Sequence, residues 1–238
     1  MIEPLEILAA LTKMFNHGAL SGLTVLISAG PTREPIDPVR YLSNRSSGKM
    51  GYALAAAANS AGAQVILVSG PTSLPDPKVH ELILVETADQ MYDQVIQKAE
   101  VADIYIGAAA VADYSPVVVA QQKIKKQHDE ILLTLRKTRD ILASVSALDQ
   151  RPFTVGFAAE TDRLEDYARE KMRAKSIDMI AGNWVGQGAL GFEGDDNALW
   201  VCWPGGEIDL PKAPKQQLAQ QLIALIAEHY HAQNSMNR

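Results

Sequence analysis

The run Leu23-Thr-Val-Leu-Ile-Ser-Ala29 is aliphatic and β-branched, and it stops at Gly30-Pro31. That pattern predicts a strand buried on both faces and closed by a turn. Residues 64–69, ended by Gly70-Pro71, repeat it, and residues 81–85 and 103–108 give shorter versions. The segments between them change period. Residues 48–61 are Ala-rich and run into Gly62, a helix stop. Residues 88–99 place Met91, Val95 and Ile96 at helical spacing. Strand alternating with helix predicts an α/β fold, Rossmann-like, with a doubly wound and mainly parallel sheet. Ligands of such sheets sit at the carboxyl ends of the strands. The loops after Ala29, Ser69 and Gly107 are therefore expected on one functional edge.

The alternation breaks after Tyr114. Residues 117–120 are apolar, 123–126 basic, and 131–135 alternate toward Arg136 and Lys137. A β-hairpin excursion over about 115–138 accounts for this better than another βα unit. Regular elements then resume: a helix over 140–148, strands over 153–158 and 179–181, and a helix over 163–174 between them. Residues 198–203 and 207–210 predict a hairpin around Pro204-Gly-Gly206, and 215–231 a closing amphipathic helix. Residues 1–15 also read as an amphipathic helix. The expected organisation is a linker helix within 1–22 and one domain over 23–238.

Composition narrows the function. The 238 residues carry a formal net charge of −6, which argues against nonspecific nucleic-acid binding. Local basic clusters stand out against that background. The single cysteine, Cys202, excludes a disulfide framework within the chain and fits a reducing cytoplasm. It falls in a predicted strand, as a packed core thiol would. No apolar run approaches the ~20 residues of a membrane span, and the N-terminus has no signal-peptide pattern.

The loop from Gly30 to Gly51 is long for a βα connection. Arg33, Arg40, Asn44, Arg45, Ser46, Ser47, Gly48 and Lys49 gather there before a helix N-terminus. Free amides and the helix dipole bind anions at such a place, so the loop is a candidate phosphate site. Ser47-Gly-Lys49 fails as a Walker A loop: Met50 follows the lysine, and no glycine stands at Ser43. Gly48-Lys-Met-Gly51 is closer to a Rossmann glycine turn. With Tyr167-Ala-Arg-Glu-Lys171 it raises a second reading, an NAD(P)-dependent short-chain dehydrogenase. Against that, the glycines follow a long insertion, and the second strand ends in Ser69-Gly70 with no acid for a ribose diol.

The small residues Gly107, Ala108 and Ala109 would let a nucleotide approach the backbone. Asp113 could hold magnesium or a ribose hydroxyl, or cap a turn. Lys123-Ile-Lys-Lys126, with Arg136, Lys137 and Arg139, suits a triphosphate clamp or a solvated edge. Phe157 could stack on a base or join the core. Lys171 and Lys175 share a helix face, and solvation is the simpler expectation for them. Scattered histidines and one cysteine argue against a zinc site, and no Gly-x-Ser-x-Gly elbow is present.

Three sets of motifs together resemble phosphopantothenoylcysteine synthetase. They are Ser28-Ala-Gly-Pro-Thr-Arg-Glu-Pro-Ile-Asp-Pro-Val-Arg40 with Ser43-Asn-Arg-Ser-Ser-Gly-Lys-Met-Gly51, then Ala109-Ala-Val-Ala-Asp-Tyr114 with Lys123-Ile-Lys-Lys126, then Gly156-Phe-Ala-Ala-Glu-Thr161. The resemblance spans about residues 23–230. It implies the C-terminal half of a bifunctional flavoprotein whose other half is a decarboxylase, and residues 1–7 resemble the joining segment. No flavin is assigned to this chain. The implied co-substrates are CTP with Mg2+, 4′-phosphopantothenate and L-cysteine, through an acyl-cytidylate, and the implied assembly is a homodimer paired through the excursion. By position, Gly107, Ala108, Ala109 and Asp113 match CTP contacts, and Lys123 a flap lysine. Arg139, Asp140, Ile141 and Leu142 match a nucleotide-contacting turn, with Arg139 where a proline is expected. Phe157, Lys171 and Lys175 match residues around base and phosphates. Asn44 matches the asparagine of the acyl intermediate, Arg45 stands where some relatives have histidine, and Ser69–Pro71 are expected on the cleft edge. The metal's protein ligands are not defined beyond Asp113.

Overall fold

The computed structural model describes residues 18–126, 129–160, 162–184 and 194–236. The N-terminal helix expected over 1–15 lies outside them. The first βα unit runs from β1 (Thr24–Ala29) through two short strands, β2 (Arg33–Pro35) and β3 (Tyr41–Ser43), to α1 (Lys49–Ser60). Then come β4 (Gln64–Ser69), β5 (Glu81–Leu84), α2 (Ala88–Ala99) and β6 (Ile104–Gly107). An arm follows, based on β7 (Tyr114–Pro116) and β8 (Leu135–Lys137), before α3 (Ile141–Ser146), β9 (Phe153–Glu160), α4 (Leu164–Ala174) and β10 (Met179–Trp184). The chain closes with β11 (Asp196–Trp203), β12 (Gly206–Pro214) and α5 (Lys215–Met236).

Eight strands form one sheet in the order β12-β11-β10-β9-β6-β1-β4-β5. The six from β10 to β5 are parallel, and β11 and β12 add an antiparallel edge. Numbered along the chain, the parallel strands run 3-2-1-4-5-6, the Rossmann order, with its switch point between β1 and β6. The alternation within β1 explains the layers. Val25 and Ile27 face α1 and α5, packing with Leu54, Leu222 and Ile226, while Leu26 faces the other side with Met91 and Val95 of α2. Each such fully buried aliphatic side chain contributes roughly 1.5–3 kcal/mol.

Helix α2 begins where its pattern predicts because Thr87 and Gln90 form a capping box. Cys202 is buried, as expected, with its Sγ 3.9 Å from Met172 Sδ. The expected hairpin excursion is present, with regular pairing at its base. Among its described residues only Tyr114–Pro116 and Leu135–Lys137 pair as strands, and the apolar stretches at 117–120 and 131–134 are not strands. They have no sheet to join within the chain, and Val118 and Leu132 stand 77% and 94% exposed.

Candidate active site

The expected edge forms a cleft of about 480 Å³ across the carboxyl ends of β1, β6, β9 and β10. One wall is the long first loop, folded by Asp37. The buried Asp37 carboxylate accepts the amides of Val39 and Arg40, the amide of Ile124 and the Arg40 guanidinium. The Arg40 guanidinium holds that carboxyl well below the usual carboxylate range. Arg40 also donates to the carbonyl of Ile124 at 2.9 Å, which ties the loop to the arm. Arg40 is thus spent on folding the loop and does not line the cleft, contrary to its expected place in a phosphate site.

The loop ends at Gly48, the N-cap of α1, with φ 77°. A Cβ there would lie 2.6 Å from Thr72 Cγ2, so glycine is needed both for backbone angle and for space. Gly48, Lys49, Met50 and Gly51 face the cleft, where the first amides of a helix lack intrahelical acceptors. Lys49 Nζ lies 2.7 Å from Asp195, and Lys215 Nζ is held by the carbonyl of Gly194. Burial and repulsion by Lys49 push the Lys215 ammonium below its usual range.

The floor is the segment after β6. Ala108 N donates to Ser28 O at 3.1 Å, and Ala110 N to Gly30 O at 2.9 Å. Asn44 crosses from the loop, its Nδ2 donating to Val111 O at 2.9 Å and Ala110 O at 3.3 Å. Gly107, Ala108, Ala109 and Asp113 all line the cleft, as expected.

The far wall joins α3, α4 and the end of β9. Asp140 caps α3 through the amide of Ala143 and pairs with Lys175 Nζ at 2.9 Å. Burial raises the Asp140 carboxyl, but the Ala143 amide and Lys175 outweigh it and hold the group below its usual range. Lys171 donates to Phe157 O at 2.7 Å. Burial, then repulsion by Lys175, lowers the Lys171 pKa. The expectation of solvation therefore fails for both lysines: helix α4 turns them into the cleft instead of toward water. Arg139, Ile141, Leu142 and Phe157 share this wall.

Besides Arg40, six residues expected at the site or its edge are not on the cleft wall: Gly30, Ser47, Lys123, Ser69, Gly70 and Pro71. Gly30 packs behind it, where a Cβ would come within 3.0 Å of Gly70 O. Lys123 is exposed on the arm, next to the anchored Ile124. Tyr167 is also absent from the wall; Arg163 covers its ring at 5.3 Å. Lys171 and Tyr167 therefore do not converge on the cleft as a dehydrogenase pair would.

Sequence reasoning missed Ser28, Tyr105, Asn183, Asn197 and Lys215, which line the cleft. Polar residues closing otherwise apolar strands were the available signal for Ser28 and Asn183. Tyr105 carries no such mark; its hydroxyl lies 3.0 Å from Ser28 Oγ, and burial pushes its pKa up. Among the described residues no cluster of three His, Cys, Asp or Glu could hold a metal, and no helix is long and apolar enough to cross a membrane. Asp113, Asp140 and Glu160 bring carboxylates to the cleft; magnesium carried on phosphate oxygens takes one or two such groups.

Fold and site define a Rossmann-like α/β protein whose cation-lined cleft opens at the switch point and suits an anionic ligand. The chain belongs to the DNA/pantothenate metabolism flavoprotein C-terminal domain family, whose model matches residues 20–230. It is 49% identical over 229 residues to the coenzyme A biosynthesis bifunctional protein CoaBC of Vibrio vulnificus, covering 95% of this chain and 57% of that protein. The chain thus spans little more than half of that relative. The crystal structure of a CoaBC C-terminal domain matches at TM-score 0.77 and 39% identity, covering 90% of this chain and 99% of that one. A Cab2 mutant in complex with phosphopantothenate-cysteine shares the fold, with TM-score 0.70 at 17% identity, over 95% of this chain and 92% of that one.

Proposed function

We propose that the cleft is a phosphopantothenate–cysteine ligase site of coenzyme A biosynthesis that uses CTP. The observation that carries this reading is the chemistry of its walls. Cations approach from two sides, Lys49 and Lys215 on one and Lys171 and Lys175 on the other, around loop backbone. Among the described residues that line the cleft there is no cysteine or histidine, and Cys202 is buried in the core. Such a site can bind, orient and stabilise charge, but it is poorly equipped for covalent catalysis. Nucleotidyl transfer to a carboxylate needs little more.

In the proposed sequence, a carboxylate oxygen of 4′-phosphopantothenate attacks the α-phosphorus of CTP and pyrophosphate leaves. The cysteine amine then attacks the acyl carbon, losing a proton, and CMP leaves with the bridging oxygen. Gly107, Ala108, Ala109 and Asp113 would receive the nucleotide with the Asp140–Leu142 turn, Phe157, Lys171 and Lys175. Ser46, Gly48 and Lys49 would hold phosphate, and Asn44 would orient the acyl group. Magnesium carried on the triphosphate, with Asp113 beside it, would neutralise charge on the departing pyrophosphate.

Lys123 acts in this scheme only when the arm closes over a cleft, since it stands outside its own chain's wall. The exposed Val118 and Leu132 support pairing of two arms in a homodimer. A flavin-dependent decarboxylase, fused or associated, would consume the product, and the cytoplasm is the expected setting.

The test is incubation with phosphopantothenate, cysteine, Mg2+ and each of the four ribonucleoside triphosphates in turn, followed by mass spectrometry. The reading predicts phosphopantothenoylcysteine and CMP with CTP. A nucleoside monophosphate formed from ATP alone would overturn the base assignment. NAD(P)H-dependent reduction without ligation would favour the dehydrogenase.

A further inference from the structure

The turn entering α3 is fixed by three consecutive side chains that reach three different parts of the fold. Thr138 donates through Oγ1 to Ala112 O at 2.7 Å, and its amide donates to Asp113 O at 2.9 Å. Asp140 pairs with Lys175 on α4. Between them, Arg139 reaches α2. Its Nε lies 2.9 Å from Asp89, its Nη1 2.8 Å from Asp93, and its Nη2 donates to the carbonyl of Asp89. Its guanidinium also covers the Tyr92 ring at 3.9 Å.

Although Arg139 borders the cleft, its guanidinium is thus already matched by two carboxylates and an aromatic face. A planar fork that stacks and bonds at once fixes direction in a way a lysine cannot. Downstream of it, Ile141 and Leu142 are buried, and Leu142 packs beneath Gly107 and against Gly156. Moving the turn would move both Asp140 and the apolar floor of the cleft.

We infer that Arg139 is a positioning residue for nucleotide binding, acting as a clamp between the turn and α2 through Tyr92, Asp89 and Asp93, and not as a ligand of the triphosphate. This rests on the reading of the cleft as a CTP site, and the two roles give opposite signs on mutation. A phosphate ligand neutralised by aspartates would bind CTP better once they are removed. A clamp would bind it worse.

The experiment compares CTP affinity by calorimetry, and kcat and KM for ligation, in the wild type, Arg139→Lys, Arg139→Ala and the double variant Asp89→Asn/Asp93→Asn. Unfolding midpoints monitor the fold. Exposed ion pairs and one cation–π contact are individually weak. The expected loss is therefore about 3- to 10-fold in CTP affinity for all three variants, seen in KM with kcat nearly unchanged. Lysine should rescue little, because it keeps charge but loses the fork. Tighter CTP binding by the double variant, or near-complete rescue by lysine, would overturn the clamp in favour of direct phosphate contact. Unaltered binding by Arg139→Ala would overturn the clamp alone. Absence of CTP binding by the wild type would overturn the CTP reading and the clamp with it.

Discussion

Lys171, in the last turn of α4, and Lys175, its C-cap, meet different partners, a backbone carbonyl and the Asp140 carboxylate. Burial, then repulsion by Lys175, lowers the Lys171 pKa from the ordinary 10.5. An anion in the cleft would favour the charged ammonium and raise that pKa again. CTP binding should then take up a proton between the depressed pKa of the free protein and the higher one of the complex. Affinity is flat below that window and falls as pH rises through it. Calorimetry in buffers of different ionisation enthalpy reads the uptake directly. Lys171→Met should abolish that uptake and weaken binding by roughly 10- to 100-fold, the worth of a charge-assisted hydrogen bond. Proton release on binding would contradict the role. The i, i+4 spacing made the shared face legible in the sequence. That this face meets the end of β9 and the cap of α3 is a tertiary fact with no local mark.

Among the elements, α1 depends on how it begins. Gly48 sits in the left-handed region with Thr72 pressed against it. Gly48→Ala incurs about 1–2 kcal/mol for the backbone alone, and the Thr72 contact adds to it. The expected result in denaturant titration is a lower midpoint, with KM for CTP raised because the helix N-terminus shifts. Wild-type stability with wild-type KM would show that the N-terminus can move without consequence. The buried strands were legible because continuous aliphatic runs have few other uses, and α2 because its apolar spacing ends at true caps. The β2–β3 pair was not, since three-residue strands carry no periodicity. Nor was the irregular arm. Alternation at 131–135 resembles a strand, yet among the described residues only Leu135 enters the β7–β8 ladder, with one further bond from Val117 N to Thr134 O.

At the scale of the whole molecule, the parallel order 3-2-1-4-5-6 makes the loops after β1 and β6 diverge to opposite faces, and the cleft opens between them. The sequence indicated that edge through its Gly-Pro stops and its Gly-Ala segment. It could not indicate that β10, β11 and the start of α5 complete the cleft with Asn183, Asn197 and Lys215. Those residues come from the far end of the chain and converge only through the sheet. Carboxylate activation by nucleotidyl transfer, as proposed for this cleft, leaves an isotopic trace. The most direct measurement uses phosphopantothenate carrying 18O in both carboxylate oxygens, with CTP, cysteine and Mg2+. Attack on the α-phosphorus predicts one 18O in CMP and one retained in the amide product. Label in inorganic phosphate, with CDP as the nucleotide product, would mean activation at the γ-phosphorus and would contradict the account.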